Sequence, residues 1–454
     1  MPINNYGLFP LSWTISKEDL TYPQYLSLAA ALERDIKSGD LPAGTKLPPQ
    51  RILADYLDLN FTTVTRAYDL CREKGLIYGE TGRGTFVAPQ SRYADMERSV
   101  FELGVVLGFP DVNAQIVESA REVMANGCCR DLFSYTDRMG LPHQREIGAS
   151  WMAERGIDTD VDHTMIFAGA QNAITTSLLS LFGVGDALAT DTFTYANLIG
   201  TARLAHIRLI PVDGDAKGML PDALDEICTK TTVKGVFLMP YFANPTTKTM
   251  DECRRDDLAL VCKKHQLIVI EDEAASFPVF SSFYSKLPEQ TIYISATTRY
   301  IAPGLRVTFC CCPEQYKSSL LNGLYTTSIK ASALDAEIMC NLIQSGRADS
   351  ILIEKGKLAL NANQIYNRIF PKDPIPLYSN PLFRVHKLNQ TGNGQGIEQY
   401  ILSKGIRVCH SCRFAVDKTT KQSFLRISLS TARDLVRLEK GLCLLKEIID
   451  SASI

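Results

Sequence analysis

The feature that most limits how this chain can fold is a long alternation of short apolar runs with helical patterns, which starts near residue 165. The apolar runs are Met165–Ala168, Ala187–Ala189, Ile207–Pro211, Val236–Pro240, Leu267–Ile270 and Thr291–Ile294. Alternation of this kind predicts an α/β domain whose mostly parallel sheet is covered by helices on both faces. Ligands of such sheets bind beyond the carboxyl ends of the strands, so candidate functional residues are sought there.

Composition limits the classes of function that remain. The chain has 454 residues, of which 45% are hydrophobic and 22% charged, and this favours two globular domains. A formal net charge of -2 excludes nucleic-acid binding by bulk positive charge, so any DNA contact must come from locally placed basic groups. Since no apolar run approaches the roughly 20 residues of a membrane helix and the N-terminus lacks signal-peptide order, we expect a cytoplasmic protein.

The cysteines do not indicate a disulfide framework or a metal site. They number 13 and are scattered along the chain, which predicts reduced and mostly buried thiols. Cys409 and Cys412 form one C-x-x-C unit around His410, but no second pair lies at the spacing of a zinc site. We therefore expect no bound metal.

Three helical patterns precede the alternating region. Apolar residues repeat at helical spacing between Tyr22 and Gly39, and two prolines open a second short helix, Gln50–Leu57. Asn60 is predicted to cap a third helix with two contrasting faces. One face is apolar and carries Val64, Ala67, Tyr68 and Cys71. The opposite face is polar and carries Thr62, Thr65, Arg66 and Asp69.

A basic-tipped hairpin is predicted to follow the third helix. Glycines flank Arg83 at its tip, and Phe86 and Val87 then return to the core. Three helices and such a hairpin predict a winged helix-turn-helix, although a small helical protein-interaction domain would also fit the pattern. Residues 1–88 are assigned to this domain, 89–100 to a polar linker and 101–454 to a second domain for effector binding and dimerisation.

Two polar features of the second domain suit a phosphate group. Gly169, Ala170 and Gln171 end a strand and precede a helix predicted to begin at Asn172, where free backbone N–H groups would bind an anion. Arg306, in the predicted strand-end run IAPGLRV, would bind the same phosphate through its guanidinium. A helix cap or an interior salt bridge would explain either feature equally well.

Three further residues suit a pyridine ring. Asp272, at a buried strand end, would pair with a protonated ring nitrogen, and Asn244 would donate to the ring oxygen. Tyr195 would stack on the ring face. Taken singly, each of these residues is more often structural than functional.

The run LPPQRILADYLDLNFTTVTRAYDLCREKGLIYGETGRGTFV resembles the GntR-type winged helix along its whole length. The resemblance implies that the partner is double-stranded DNA, bound at promoter half-sites, and that Arg51 and Arg66 contact mainly phosphates. It implies that the following residues face DNA: Arg51, Asn60, Thr62, Thr63, Arg66, Arg83 and Thr85. Phe61 departs from the pattern, because many relatives carry a basic residue directly after the cap.

Several short runs in the second domain, taken together, resemble the fold-type-I aminotransferases that depend on pyridoxal phosphate. The runs are SYTDRMGLPHQRE, GAQNA, NPT, VIED, APGLRV and FLRISL. Joined to a GntR-type domain, they are similar to the MocR/GabR family of transcriptional regulators. The resemblance implies that Arg426 binds the carboxylate of an amino-acid ligand, and that a homodimer sets the spacing of two DNA half-sites.

The chain departs from this family at the position that matters most for catalysis. The family has a lysine before APGLR that forms the Schiff base with the cofactor, and this position is Arg299 here. Arginine stays protonated and forms no stable imine, so transamination is not expected. Nearby, Ala296 replaces a phosphate-binding serine although Thr298 keeps a hydroxyl. Ala275 stands at a tyrosine position, and Thr247 replaces the glycine of NPTG.

Three functions remain open: an active pyridoxal-phosphate-dependent aminotransferase, a regulator that binds a ligand non-covalently, and a vestigial scaffold that only dimerises. The regulator is favoured, with no enzymatic activity, because the anion and ring contacts persist. We expect its cofactor to be pyridoxal phosphate or a related pyridoxal compound bound non-covalently, or no cofactor. Since Arg299 adds positive charge, a small anionic metabolite or an amino-acid-derived ligand is the expected effector.

Overall fold

The computed structural model describes residues 11–80, 83–88, 100–109, 113–273, 281–295, 298–374, 381–389, 394–417, 420, 422–431 and 434–452, with the side chains of residues 37, 73, 127–129, 298 and 299 left out. The chain divides into two compact units, Met1–Ser99 and Val100–Ile454. Apart from Val100, the predicted linker lies outside the described residues. Among the described helices, none is both long and apolar enough to cross a membrane.

The first unit is a three-helix domain with a hairpin. A short 3-10 helix, Lys17–Asp19, precedes helices α1 (Gln24–Ser38), α2 (Gln50–Leu57) and α3 (Phe61–Glu73). Strands β1 (Ile77–Glu80) and β2 (Gly84–Val87) then pair antiparallel, with Ile77 opposite Val87. This is the predicted winged helix-turn-helix.

Local sequence explains where these helices begin and end. Gly39 follows α1 with a φ of 88°, a left-handed conformation that glycine adopts without strain. Asn60 caps α3, because its side-chain oxygen accepts from the backbone N–H of Thr62 at 3.0 Å. The predicted apolar face of α3 is buried, and its four residues, Val64, Ala67, Tyr68 and Cys71, are all 0% exposed.

The second unit is built on a seven-stranded sheet. Its strands are β4 (Thr164–Phe167), β5 (Ala187–Asp191), β6 (Arg208–Val212), β9 (Gly235–Leu238), β10 (Ile268–Glu273), β11 (Thr291–Ser295) and β12 (Thr308–Cys311). They lie side by side in the order β4-β12-β11-β10-β9-β5-β6. β12 runs antiparallel to β4 and β11, and the other neighbouring strands are parallel. The predicted mostly parallel sheet is thus confirmed.

Smaller strand pairs accompany this sheet. The strands are β3 (Phe101–Glu102), β7 (Gly214–Asp215), β8 (Gly218–Met219), β13 (Phe383–Lys387), β14 (Ile406–Arg407), β15 (Cys409–His410) and β16 (Phe424–Ser428). β13, β16 and β15 form a three-stranded antiparallel sheet. β3 pairs parallel with β14, and β7 pairs antiparallel with β8.

Helices connect and cover the strands of the second unit, and they enclose apolar clusters on the two faces of the large sheet. The α-helices are Ala114–Ala125, Pro142–Ala153, Ala170–Leu181, Ala196–Leu204, Pro221–Lys230, Glu252–Lys264, Phe283–Lys286, Thr298–Ile301, Glu314–Ser328, Ala333–Gln344, Arg347–Ile369, Gly394–Ser403 and Leu435–Ala452. The 3-10 helices are Gly127–Phe133, Pro303–Leu305 and Ser411–Arg413.

Two local predictions were wrong. The helix expected to begin at Asn172 begins at Ala170, because Gly169 already supplies its N-terminal boundary. Arg306 lies before a strand instead of at a strand end: it follows the 3-10 helix Pro303–Leu305 and precedes β12. Because β12 is antiparallel to its neighbours, its beginning still lies at the edge where the parallel strands end.

The described cysteines are free thiols. Six of them are buried: Cys71, Cys262, Cys310, Cys311, Cys312 and Cys340. Within the described residues, no cluster of histidine, cysteine, aspartate or glutamate side chains could hold a metal ion.

Candidate functional site

A cleft opens at the edge of the large sheet where its parallel strands end. Its empty volume is about 440 Å³, including the open mouth. Its walls come from the β4–helix turn, the residue before the helix Ala196–Leu204, strand β10 and the segment before β12. The lining residues are Gly169, Ala170, Gln171, Ile174, Tyr195, Asp272, Ala302, Pro303, Arg306, Val307 and Thr308. Five residues predicted for the cofactor site therefore share one cavity: Ala170, Gln171, Tyr195, Asp272 and Arg306.

One part of the cleft wall, which we call the anion cradle, combines Gly169, the helix start that follows it and Arg306. The helix Ala170–Leu181 begins there, and no side chain caps its first turn. Gly169 has a φ of 83°, and a Cβ atom on this residue would lie 2.6 Å from the guanidinium carbon of Arg306. Glycine is therefore what allows the guanidinium to lie beside the helix N-terminus. A cation beside free N–H groups at a helix start fits a phosphate group.

The side chain of Gln171 is turned toward the neighbouring helix. Its Nε2 lies 3.1 Å from the hydroxyl of Thr201 and 3.1 Å from that of Thr175. Its Oε1 is buried and has no hydrogen-bond partner among the described residues. The side chain of Gln171 thus contacts the helix Ala196–Leu204, and its backbone N–H is the group left for an anion.

Asp272 contributes a buried carboxylate to the wall of the cleft and is 3% exposed. Its neighbours Glu271 and Glu273 project to the opposite face of β10, because side chains alternate along a strand. Burial raises the pKa of Glu271 to about 7 and that of Glu273 to about 8. Asp272 is therefore the acidic group of this strand that faces the cleft.

Tyr195 forms the wall beside the helix Ala196–Leu204, directly before its first residue. Its hydroxyl accepts a hydrogen bond from the side-chain amide of Asn197 at 3.1 Å. The ring thus borders the cleft while its polar end is held, an arrangement suited to stacking on a planar ligand.

Asn244 and Arg426 form a second buried cluster. Nη1 of Arg426 donates to Oδ1 of Asn244 at 2.9 Å, and Nη2 donates to the carbonyl of Gly104. The guanidinium carbon lies 4.9 Å from the ring centroid of Phe414, and Sγ of Cys409 lies 3.7 Å from Nη2. The structure thus brings together two predicted ligand residues that are 182 positions apart.

Arg299, which the sequence predicts to stand at the lysine position of the family, lies in a short helix, Thr298–Ile301. The side chains of Thr298 and Arg299 are outside the described part of the chain, and so are residues 275 and 296. The sequence predictions for these residues therefore stay predictions.

Lys355 is a nearby basic residue that the sequence analysis missed. Its ammonium is buried and donates to the carbonyl of Ile301 at 3.0 Å. Burial lowers its pKa to about 8. The sequence carried a signal, because Lys355 lies on the apolar face of its helix, four residues after Ile351 and four before Ala359.

Thr247, predicted to stand at a glycine position, has a backbone conformation that glycine adopts without strain. Its φ is 58°, in the left-handed region that β-branched residues rarely adopt. Its hydroxyl donates to the carbonyl of Thr246 at 2.6 Å. The turn after the NPT run therefore holds a threonine in a conformation that favours glycine.

In the first unit, α3 presents its polar face to solvent. Asn60, Thr62 and Arg66 are exposed, and Thr63 is half-buried. The side-chain oxygen of Asn60 is engaged by both the N–H and the hydroxyl of Thr62. The guanidinium carbon of Arg66 lies 5.0 Å from the ring centroid of Tyr25. Arg51, on α2, is also exposed.

The hairpin adds basic groups. Arg83 is exposed and pairs with Glu80 at 2.6 Å, a surface ion pair that a phosphate could replace at little cost. Thr85 is half-buried. Lys46, which was not predicted, lies against the hairpin: a Cβ on Gly84 would come 2.9 Å from its Cε. Lys46 is identified by its contact with the hairpin, which the sequence could not show.

Family models and relatives agree with both units. Residues 24–87 match the model described as bacterial regulatory proteins, gntR family, and residues 106–438 match aminotransferase class I and II. The chain is 32% identical over 462 residues to an uncharacterized HTH-type transcriptional regulator, YdeF, of Bacillus subtilis (strain 168), covering 99% of each chain. It is 22% identical over 344 residues to the HTH-type transcriptional regulator NorG of Staphylococcus aureus (strain N315), covering 68% of this chain and 77% of that protein.

Solved structures confirm the fold. The α-aminoadipate aminotransferase LysN of Thermus thermophilus superposes with a TM-score of 0.70 at 18% identity, covering 80% of this chain and 95% of that one. Kynurenine aminotransferase of Pyrococcus horikoshii gives a TM-score of 0.70 at 19% identity, covering 80% and 95%. At such identities the likeness shows the fold alone.

Proposed function

Since this chain belongs to the GntR-type transcriptional regulators fused to an aminotransferase class I and II domain, we propose that its second domain senses a ligand without catalysing transamination. The observation that carries the proposal is the anion cradle of Gly169 and Arg306, which persists in a chain whose lysine position is Arg299. Residues 1–88 would form the DNA-binding domain, and residues 89–100 would form the linker between the two domains. Residues 101–454 would bind the effector and dimerise.

DNA binding would use the exposed polar face of α3 together with the hairpin. The proposed contact residues are Arg51, Asn60, Thr62, Thr63, Arg66, Arg83 and Thr85. The polar side of α3 is supported by the complete burial of its other side, which leaves only this face free to enter a groove. Asn60 also has a structural role as the helix cap.

A pyridoxal compound would fit the cleft through its phosphate and its ring. The backbone N–H groups of Ala170 and Gln171 and the guanidinium of Arg306 would hold the phosphate, with the hydroxyl of Thr298 as a further donor. Asp272 would hold a protonated ring nitrogen, and Tyr195 would cover the ring. When bound, pyridoxal phosphate supplies an anionic phosphate, a basic ring nitrogen and an aldehyde that reacts with amines.

Asn244 and Arg426 would hold the remaining groups of the ligand. Asn244 would donate to the ring oxygen, and Arg426 would bind a carboxylate of an amino-acid-derived ligand. Arg426 is oriented by its bonds to Asn244 and to the carbonyl of Gly104. A carboxylate would therefore meet a guanidinium whose position is already set.

Covalent attachment is excluded from the proposal by the chemistry of Arg299. A guanidinium stays protonated and is a poor nucleophile, so it neither links to the aldehyde nor carries the proton of transamination. Its positive charge would instead favour an anionic ligand.

Regulation would require a homodimer whose two DNA-binding domains contact two half-sites. A ligand changes DNA affinity only if it binds more tightly to one arrangement of these domains than to another. Because of the positive charge of Arg299, the proposed effector is an anion. It is either a pyridoxal phosphate derivative or a small carboxylate or phosphate metabolite.

A second candidate is a scaffold that dimerises without a ligand. The hydrogen bond between Arg426 and Asn244 favours it, because these two ligand residues already satisfy each other. Thermal unfolding separates the candidates, since a ligand that binds the native state must raise its melting temperature by mass action. A rise with pyridoxamine phosphate supports the sensor, and no rise with any pyridoxal compound supports the scaffold.

Borohydride reduction followed by intact-mass measurement tests whether pyridoxal phosphate forms a covalent link to the chain. The wild-type chain, incubated with pyridoxal phosphate, is expected to gain no adduct at the pocket. Arg299→Lys is the matched variant, and an adduct there would show that the rest of the site is intact. A pocket adduct in the wild-type chain would contradict the proposal.

A gel-shift experiment with the protein's own promoter tests the DNA-binding part. Affinity should fall steeply with salt concentration, because binding to phosphates releases counterions. Absence of binding, or binding that does not depend on salt, would count against the assignment of the first unit.

A further inference from the structure

Phe61 is an exposed aromatic residue at the start of α3. It is the first residue of the helix, and 43% of its surface remains exposed. The described apolar core of the first unit contains Leu59 and Val64, on either side of Phe61 in sequence, but not Phe61 itself. Packing within that core therefore does not account for an aromatic side chain at this position.

The backbone around Phe61 is held firmly. Asn60 caps the helix through the N–H of Thr62 at 3.0 Å. The carbonyl of Phe61 lies 3.0 Å from the hydroxyl of Thr65, and that hydroxyl also lies 3.0 Å from Oε1 of Gln50 on α2. The first turn of α3 is thus tied to the beginning of α2, so the ring is presented from a fixed base.

The surroundings of the ring are polar and cationic. The guanidinium carbon of Arg51 lies 5.8 Å from the ring centroid, within the range of a cation–π contact. The start of a helix is also a positive dipole end. Phosphates attracted to Arg51 would bring DNA against an uncharged, apolar ring.

From this placement we infer that Phe61 contacts the C5-methyl group of a thymine in the major groove and thereby sets part of the sequence preference. N-terminal residues of a recognition helix contact base edges, and the thymine methyl is the apolar group on those edges. The inference rests on the proposed DNA-binding role of α3. It adds a thymine requirement at one position of each half-site.

The test is a methyl scan of the DNA. Full-length protein selects its binding sequence from a random duplex library, and each thymine of the half-site is then replaced in turn by deoxyuridine, which lacks only the methyl group. Wild-type affinity should fall about fourfold at one thymine, the loss expected for removing one buried methyl group. Phe61→Ala should bind more weakly and should not distinguish thymine from deoxyuridine at that position.

Two controls make the scan specific. Phe61→Leu keeps an apolar side chain and should still distinguish thymine from deoxyuridine. DNA that carries 5-methylcytosine at the same position should bind wild type more tightly than DNA that carries cytosine there. Because Phe61 lies outside the described core, Phe61→Ala should melt within a degree or two of wild type, which separates a lost contact from a lost fold.

The outcomes separate this inference from the function on which it rests. If no duplex is selected, the DNA-binding function itself fails. If DNA is bound and deoxyuridine is tolerated at every position, or if Phe61→Ala discriminates as wild type does, the role of Phe61 is refuted alone. Equal weakening of Phe61→Ala on both DNAs, with wild type insensitive to the methyl group, would indicate a ring wedged between base steps and would also overturn the inference.

Discussion

The guanidinium of Arg306 lies in the space that a side chain on residue 169 would need: an ideal Cβ there would be 2.6 Å from Cζ of Arg306. The two residues are 137 positions apart (306 minus 169), and the fold brings them together because β12 begins where β4 ends. Gly169 and Arg306 therefore form one structural unit. Adding a single methyl group at residue 169 should disturb the anion cradle.

Gly169→Ala should remove the response of the pocket to phosphorylated ligands. The added Cβ must displace the guanidinium, and the residue would also be held at a φ of 83°. We expect the rise in melting temperature with pyridoxamine phosphate to be lost. Gly304→Ala is the matched control, because a Cβ there meets no atom within 4 Å. Loss of the response in both variants, or in neither, would contradict the assigned cradle.

The stability of the chain should fall as pH rises toward 8. Burial raises the pKa of Glu271 to about 7 and that of Glu273 to about 8, from an ordinary value of 4.5. The folded state then binds more protons than the unfolded state, so this stabilisation is complete below about 4.5 and is lost through about 8. Denaturant unfolding between pH 5 and pH 8 measures the slope.

Glu273→Gln isolates the contribution of one carboxyl in this window. The glutamine cannot ionise, so the free energy of unfolding of this variant should fall less than that of wild type, by about 3–4 kcal/mol between pH 5 and pH 8. Glu154→Gln, at an exposed position, is the control and should keep the wild-type slope. Parallel curves for wild type and Glu273→Gln would refute a raised pKa.

Lys355 should act in the opposite direction at higher pH. Burial lowers its pKa from 10.5 to about 8, so the unfolded state binds more protons between these values and stability should rise with pH there. Lys355→Met should remove this rise, a difference on the order of 2 kcal/mol between pH 8 and pH 10. The wild-type curve is the reference, because tyrosines and cysteines titrate in both proteins. A difference that does not change with pH would contradict the prediction.

Thr247→Gly should stabilise the second domain slightly. Removing the side chain relieves a left-handed conformation that costs about 1–2 kcal/mol, while glycine adds about 0.5–1 kcal/mol of chain entropy. A net gain of about 0.5 kcal/mol is expected in denaturant unfolding, as the difference between these two terms. Thr246→Gly, next to it and without a positive φ, should lose stability. A loss in both variants would mean that the contacts of the Thr247 side chain outweigh the backbone strain.

The first unit could be predicted from its sequence almost completely, because its signals are local. The spacing of Val64, Ala67, Tyr68 and Cys71 identified the buried face of α3, and the identity of Asn60 identified its cap. Lys46 was missed because its contact with the hairpin depends on how two distant segments meet.

The sequence predicted individual residues of the candidate site better than it predicted how those residues come together. Strand ends located Asp272 and the Gly169 turn, but the direction of β12 depends on pairing with strands far away in sequence, so Arg306 was placed at the wrong end of a strand. The hydrogen bond between Asn244 and Arg426 joins two distant segments of the second unit, and no local sequence pattern relates them. Lys355 was overlooked although a lysine in an apolar helical stripe is a signal that can be read.

Whether the pocket binds an anionic pyridoxal compound without a covalent link is tested by calorimetric titration of the full chain with pyridoxamine phosphate. This compound carries the phosphate and the ring but no aldehyde, so its binding does not depend on a lysine. We expect saturable binding that Gly169→Ala abolishes and Gly304→Ala preserves. Absence of a heat of binding to the wild-type chain, or equal binding to both variants, would rule out non-covalent binding at the anion cradle.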